Sequence, residues 1–398
     1  MAEQLHRPQA RRSFLGAAAG LAASVLLGAC QIIPDPGAPQ TRAEPEPIPV
    51  PTPTPTPEPV QPAQDLRNKV AVLVPLTGEN AGVGRSIANA ANLALLDSGG
   101  ERIRITVYDT AKGAAAAANQ ALAEGNRLFL GPLLAEDVRA IAPVASRAGV
   151  PVVAFSNDVS VAGESVYLLG FTPGQSIDRV VSYARSQGLE RFAGLVPAGL
   201  YGQRSGQALI QSVEAAGGRM VAMQTYERSP AGLREAVSRL NVQSGYDAVL
   251  VADSSRIAAT AAPLIRSGPS PQARILGTEL WNTDNNLSAL TPLRGAWFAT
   301  VPDTMFDQLR ARYRTRYRTS PYRLASLGYD AVLLTMRIAA EWPFGRPFPA
   351  AKLRDPEGFM GIDGAFRFGR DGVAERALAV QQVTASGLQT VSEAPRGF

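Results

Sequence analysis

The chain has 398 residues, a formal charge of +5, 45% hydrophobic and 18% charged residues, a balance ordinary for a globular protein with a sizeable core. Cys30 is its one cysteine and His6 its one histidine, so no disulfide can form within the chain. Ser-His-Asp and Cys-His catalysis and His/Cys metal sites are excluded once residues 1–29 are cleaved; no lysine stands in a Ser-x-x-Lys arrangement, and no cofactor is implied.

The chain opens with Arg11-Arg12-Ser13-Phe14-Leu15, an apolar run, and Leu27-Gly28-Ala29-Cys30. A charged start, a short apolar stretch and a small-residue cleavage site predict a signal peptide over 1–29. Residues 13–29 are too short for a membrane span, which needs ~20 apolar residues. The paired arginines resemble a twin-arginine export signal, and Leu-Gly-Ala-Cys resembles the bacterial lipobox. That resemblance implies that Cys30 is lipidated and that the mature protein is anchored in a membrane. Gln31 stands where an aspartate would retain a lipoprotein in the inner membrane, so the implied address is the outer membrane, facing the periplasm. Cleavage removes Arg7, Arg11 and Arg12 against Glu3, which lowers the charge to +3 and gives no argument for nucleic acid.

Residues 30–65 form a linker containing Pro51-Thr52-Pro53-Thr54-Pro55-Thr56-Pro57. Alternating prolines leave polyproline II as the regular structure available, and about thirty such residues stretch to ~95 Å.

From Lys69 short apolar runs alternate with helical stretches. Strands are expected at 70–76, 103–109, 127–131 and 151–155, with helices at 84–97, 113–124 and 136–148 between them. A second set follows, with helices at 175–187, 202–216, 230–243 and 254–267 and strands at 191–196, 219–226, 247–252 and 273–277. Strands apolar on both faces and separated by helices predict parallel sheets covered on both sides. The fold class is therefore α/β, and two sets in tandem predict two similar lobes.

Particular pieces carry a family resemblance: Pro75-Leu76-Thr77-Gly78, Ser98-Gly99-Gly100 leading to Asp109, Gly149-Val150-Pro151, Tyr201-Gly202, Gly328-Tyr329-Asp330-Ala331, and Phe366-x-Phe368-x-x-Asp371-Gly372. In this order they resemble the type I periplasmic binding proteins, the leucine/isoleucine/valine-receptor family. The resemblance implies two Rossmann-like lobes around an inter-lobe cleft, with crossovers near 172–175 and 300–305. Its divisions fall as lobe 1 at 66–172, lobe 2 at 173–303, a return to lobe 1 at 304–360, and C-terminal strands near the hinge and lobe 2 at 361–398. Its carboxylate-binding hydroxyl positions are altered here, reading Gly131-Pro132-Leu133-Leu134-Ala135-Glu136 and Phe155-Ser156-Asn157-Asp158. A ligand carboxylate beside Glu136 and Asp158 is expected to be repelled. The lipid anchor, long proline spacer and degenerate cleft together resemble the penicillin-binding-protein activator lipoproteins. That branch implies a bifunctional penicillin-binding protein, a peptidoglycan synthase, as partner. Some activators carry a helical-repeat domain before this fold, and the sequence contains no such repeat.

The candidate cleft residues are Thr77, Ser156, Tyr201, Asp253 and Glu279, with an exposed-loop role equally open for Glu279. Gly78-x-x-x-Gly82-x-Gly84 with Asp109 departs from the dinucleotide spacing and reads as a tight strand-to-helix turn. On a helix at 306–318, Arg310, Arg314 and Arg318 fall at i, i+4 and i+8, a solvated face or a candidate partner surface. Three functions stay open: synthase activation; a tethered solute receptor of an ABC transporter; and, third, a glycan-cleaving enzyme using paired carboxylates.

Overall fold

The computed structural model describes residues 65–397 apart from 243, 244, 285, 302 and 396; the expected signal peptide, Cys30 and nearly all of the proline-rich linker lie outside the described residues. Lobe 1 runs β1 (Asn68–Val74), α1 (Ala81–Asp97), β2 (Ile103–Asp109), α2 (Ala114–Ala123), β3 (Phe129–Leu130), α3 (Ala135–Arg147), β4 (Val152–Ala154) and β5 (Val166–Leu168). Its five parallel strands stand in the order β2-β1-β3-β4-β5. Lobe 2 runs α4 (Pro173–Ser186), β6 (Arg191–Pro197), α5 (Leu200–Ala215), β7 (Arg219–Tyr226), α6 (Pro230–Asn241), β8 (Ala248–Val251), α7 (Ser255–Arg266), β9 (Arg274–Gly277) and β10 (Trp297–Thr300). Its parallel strands repeat that order as β7-β6-β8-β9-β10. The expected two-lobed α/β architecture is present, and each lobe is the same doubly wound unit.

The likeness of the lobes extends to one packing device. Each central strand leads into a proline, Pro75 just past β1 and Pro197 at the end of β6, and the helix that follows crosses its carbonyl. A Cβ at Gly84 of α1 would run into the Pro75 oxygen, and one at Gly202 of α5 into the Pro197 oxygen. Glycine is required at both places because backbone occupies the space of a side chain. β1 is buried along its length except at Lys69, as a central strand covered on both faces must be.

The chain then returns through α8 (Thr304–Tyr317) and α9 (Ala325–Ala339) to lobe 1. Phe306, Leu309 and Tyr313 of α8 join Val70, Val72 and Ile87 in one core. α9 explains the Gly-Tyr-Asp-Ala motif. Gly328 lies against the Ile87 carbonyl of α1, Tyr329 donates to Asp97 at 2.7 Å, and Asp330 accepts from the backbone N–H of Ile362 at 2.6 Å. β11 (Phe359–Gly361), β12 (Gly364–Phe368) and β13 (Ala374–Arg376) form a small antiparallel sheet whose Phe359, Phe366 and Phe368 belong to the lobe 1 core. β14 (Ala379–Val383) then pairs antiparallel with β10, and β15 (Leu388–Ser392) closes the edge of the lobe 2 sheet.

β5 and β10 were not expected. Each follows 3-10 turns rather than an α-helix, so it falls outside the strand–helix alternation that marked equally short strands such as β4 and β8. β10 covers 297–300, so the segment expected as a crossover at 300–305 begins on a sheet strand.

Candidate functional site

In an open sheet of this strand order, ligands sit beyond the carboxyl ends of the strands, where the order reverses. Both lobes present those ends to each other. A cavity of about 330 Å³ lies between them, lined by Leu133, Glu136, Ser156 and Asp158 of lobe 1 and by Tyr201 and Arg204 of lobe 2.

On the lobe 2 side, α5 places Tyr201 in its first turn. The Tyr201 hydroxyl donates to Glu279 Oε1 at 3.1 Å and lies 3.0 Å from Thr278 Oγ1. Ser176 Oγ donates to Glu279 Oε2 at 2.8 Å and accepts from the Glu279 backbone N–H at 3.1 Å. Burial pushes the Glu279 carboxyl group upward, against the lowering effect of these hydrogen bonds. Burial and the neighbouring Glu279 likewise push the Tyr201 phenol up, so it remains a donor. Glu279 also lines a second cavity, of about 30 Å³, with Phe171, Thr172, Ser176, Arg323 and Arg376. That volume holds about one or two waters.

On the lobe 1 side, Asp158 lies in the loop after β4 and is 4% exposed. Arg139 Nη2 of α3 lies 2.6 Å from its Oδ2, and Arg204 Nη1 of α5 lies 2.6 Å from its Oδ1. The same Oδ1 accepts from the Ser160 backbone N–H at 2.9 Å and the Ser160 hydroxyl at 2.5 Å. Burial alone would raise this carboxyl group; the Ser160 hydrogen bonds and Arg204 outweigh it and bring it down to about 2. Arg204 is thus the cation that lobe 2 contributes to a lobe 1 carboxylate.

The structure brings Ser156 and Tyr201 to one cavity and joins Glu279 to Tyr201. It does not bring Thr77 or Asp253 there. Thr77 is exposed and donates to Asp109 Oδ2 at 2.8 Å, while Leu76 N–H donates to Asp109 Oδ1 at 2.7 Å. That pair closes the turn after β1, so the Gly78–Gly84 stretch is a strand-to-helix turn. Asp253 is buried inside lobe 2, accepting from the Tyr226 hydroxyl at 2.6 Å and Arg228 Nε at 2.9 Å, and its backbone carbonyl accepts from Trp281 Nε1. The expectation that Asp158 repels a carboxylate also changes, because two guanidinium groups already face it. Arg139 and Arg204 were not singled out in the sequence; the available signals were spacings of three from Glu136 and from Tyr201, which place each pair on one helical face.

The arginine row is corrected as well. α8 ends at Tyr317, and Arg318 caps it in a left-handed conformation with φ 58°, so Arg310 and Arg314 stand on the helix and Arg318 just beyond it. Arg310 pairs with Asp307 at 2.9 Å, and Arg314 Nε donates to Ser320 at 2.9 Å. Beside them lies a groove of about 580 Å³ lined by Phe306, Arg310, Arg314, Pro321, Tyr322 and Arg323. Among the described residues no group of His, Cys, Asp or Glu is placed to hold a metal ion.

Two like lobes whose facing strand ends enclose a cleft define the two-lobed binding-protein class. A family model described as periplasmic binding protein matches residues 68–388, and the chain belongs to that family. Among solved structures, a leucine-binding protein LivK from Thermotoga maritima superposes with TM-score 0.61 at 19% identity, covering 82% of this chain and 98% of its own. The C-domain of LpoA from Haemophilus influenzae, described as a regulator of PBP1A, superposes with TM-score 0.63 at 20% identity, covering 81% of this chain and all of that domain. At these identities the likeness is one of fold. A curated sequence, the uncharacterized protein RP748 of Rickettsia prowazekii, is 23% identical over 175 residues, 44% of this chain and 47% of its own length. The match therefore spans about half of that relative.

Proposed function

We propose that this chain is a periplasm-facing lipoprotein, anchored in the outer membrane through Cys30, that activates a bifunctional peptidoglycan synthase by direct contact. The observation that carries the reading is the internal saturation of the cleft: Tyr201, Glu279 and Ser176 bond one another, and Asp158 binds Arg139 and Arg204. Polar groups that would orient a solute are engaged within the protein, which favours a contact partner over a transport receptor. The fold shared with the LpoA C-domain supports the same reading. Activation follows if the chain binds the active conformation of the synthase more tightly than the inactive one. No part of the reading calls for catalysis by the chain itself. The contact surface we propose is the end of α8, where Arg314 and Arg318 are exposed and Tyr322 is 54% exposed beside them.

The second reading, a tethered solute receptor of an ABC transporter for amino acids or a related polar ligand, is favoured by the cleft volume of about 330 Å³, within the range of small-molecule pockets. One experiment separates the two. Glycan polymerisation by the organism's bifunctional synthase is measured with and without the purified chain, alongside the melting temperature of the chain with free amino acids. The expected result is stimulation without thermal stabilisation. Arg314→Glu with Arg318→Glu should weaken stimulation about tenfold, the effect of ~1.4 kcal/mol, while the melting temperature is unchanged. No stimulation, together with stabilisation by an amino acid, would reverse the ranking.

A further inference from the structure

We infer that Asp158 is a built-in carboxylate ligand of the cleft: it occupies an Arg139–Arg204 pair that is otherwise suited to a small external carboxylate, and it clasps the lobes together without a solute. The inference concerns the cleft alone and holds whether or not a synthase is the partner.

Position is the first argument. Asp158 follows the carboxyl end of β4, and Arg204 stands in the first turns of the helix after β6, so they meet in the crevice where this sheet topology places ligands. Saturation is the second. One carboxylate accepts from Arg139, Arg204, the Ser160 hydroxyl and the Ser160 backbone N–H, and Arg204 Nη2 also reaches the Ser160 hydroxyl at 3.2 Å. A bound acid would be held by the same charge-assisted donors, which are the strong kind. Charge is the third. Asp158 is paired with Arg139 of its own lobe and with Arg204 of lobe 2, and Glu136 is the other carboxylate lining the cavity; with Asp158 gone, two cations remain beside one carboxylate and the site favours an anion. The ends of the clasp belong to different lobes, since Asp158 is fixed to lobe 1 by Arg139 and Ser160 while Arg204 belongs to lobe 2.

The test is chemical rescue in the full-length chain. Asp158→Ala deletes the carboxylate and leaves both arginines, with room for acetate in its place. The expected result is a melting temperature lowered by about 5 °C, restored by tens of millimolar sodium acetate and not by equal sodium chloride, with the wild type indifferent to acetate. Asp158→Ala combined with Arg204→Ala should lose the acetate response. Lobe separation gives a second readout: spin labels at Leu96→Cys in lobe 1 and Val242→Cys in lobe 2, both exposed, in a Cys30→Ser background. Arg204→Ala should lengthen the label distance, and this variant decides the matter if Asp158→Ala does not fold. An unchanged distance in Arg204→Ala, or acetate acting equally on wild type and Asp158→Ala, overturns the inference.

Discussion

Asp330 shows how one residue ties the return helix to the C-terminal strands. Its carboxylate, 1% exposed, accepts from the backbone N–H groups of Ile362 at 2.6 Å and Asp363 at 3.3 Å. Burial pushes this carboxyl group up to about 7, the neighbouring Asp363 adds to the rise, and Arg376 opposes it. Arg323 completes the surroundings by donating to Asp363 at 2.8 Å. A carboxyl group whose folded pKa lies above its unfolded value binds its proton more tightly when folded. Its stabilising contribution is therefore complete below about pH 4 and is lost as pH rises through 7. Asp330→Asn stays neutral and still offers an oxygen to Ile362. Relative to the wild type, its melting temperature should gain about 3 °C between pH 5 and pH 8, read by calorimetry across that range; parallel profiles would refute the assignment. The sequence suggested a hydrogen-bonding role for Asp330, since a carboxylate on an apolar helix needs donors. It could not supply the partners of Asp158, because Arg139 and Arg204 lie on different helices and only the closed fold brings them to one carboxylate.

At the scale of elements, strands set in the strand–helix alternation were legible and strands outside it were not. The apolar runs of β1, β6 and β8 and the amphipathic helices between them follow from burial on both sheet faces, which patterns sequence directly. β5 and β10 gain their strand state from neighbours: β5 pairs with β4, and β10 is held between β9 and β14. The end of α8 was misread because its stop is a non-glycine residue in the left-handed region, whereas glycine is the usual signal. The helix starts above the two prolines carry a sharper test. Gly202→Ala puts a methyl group into the Pro197 carbonyl and should cost about 3 kcal/mol, seen as a lower urea midpoint with unchanged slope. Gly174→Ala on α4 is the control, since its new methyl group would approach only Ala208, at 4.0 Å, and stability should hold or rise by about 0.5 kcal/mol. Equal losses at the two positions would show that backbone crowding is not what selects glycine at 202.

For the whole molecule, the question is whether address and action separate. Residues Ala63–Phe398 form one compact unit, and its first strand is tied in at its first residue. Asn68 Nδ2 donates to the Trp342 carbonyl at 3.1 Å, and Asn68 Oδ1 accepts from Gly345 N–H at 3.1 Å, while Asn68 pairs with Ile103 across the sheet. A chain beginning at Ala63 should therefore melt within about 1 °C of the longer chain, whereas one beginning at Lys69 loses these bonds, each of them worth about 1 kcal/mol, and should melt lower. On the activator reading, the chain from Ala63 carries the whole contact surface and should stimulate purified synthase as strongly as the full chain does. Cys30→Ala should behave the same way in solution. In cells the same substitution should reduce glycan incorporation to the level of a strain lacking the protein, because a lipid tether raises the local concentration of the activator at the membrane. If Cys30→Ala is active in both settings, tethering is dispensable and the case for a membrane-bound activator fails. If it is inactive in both, the substitution has damaged the chain itself, and the melting temperature of the purified variant will show it.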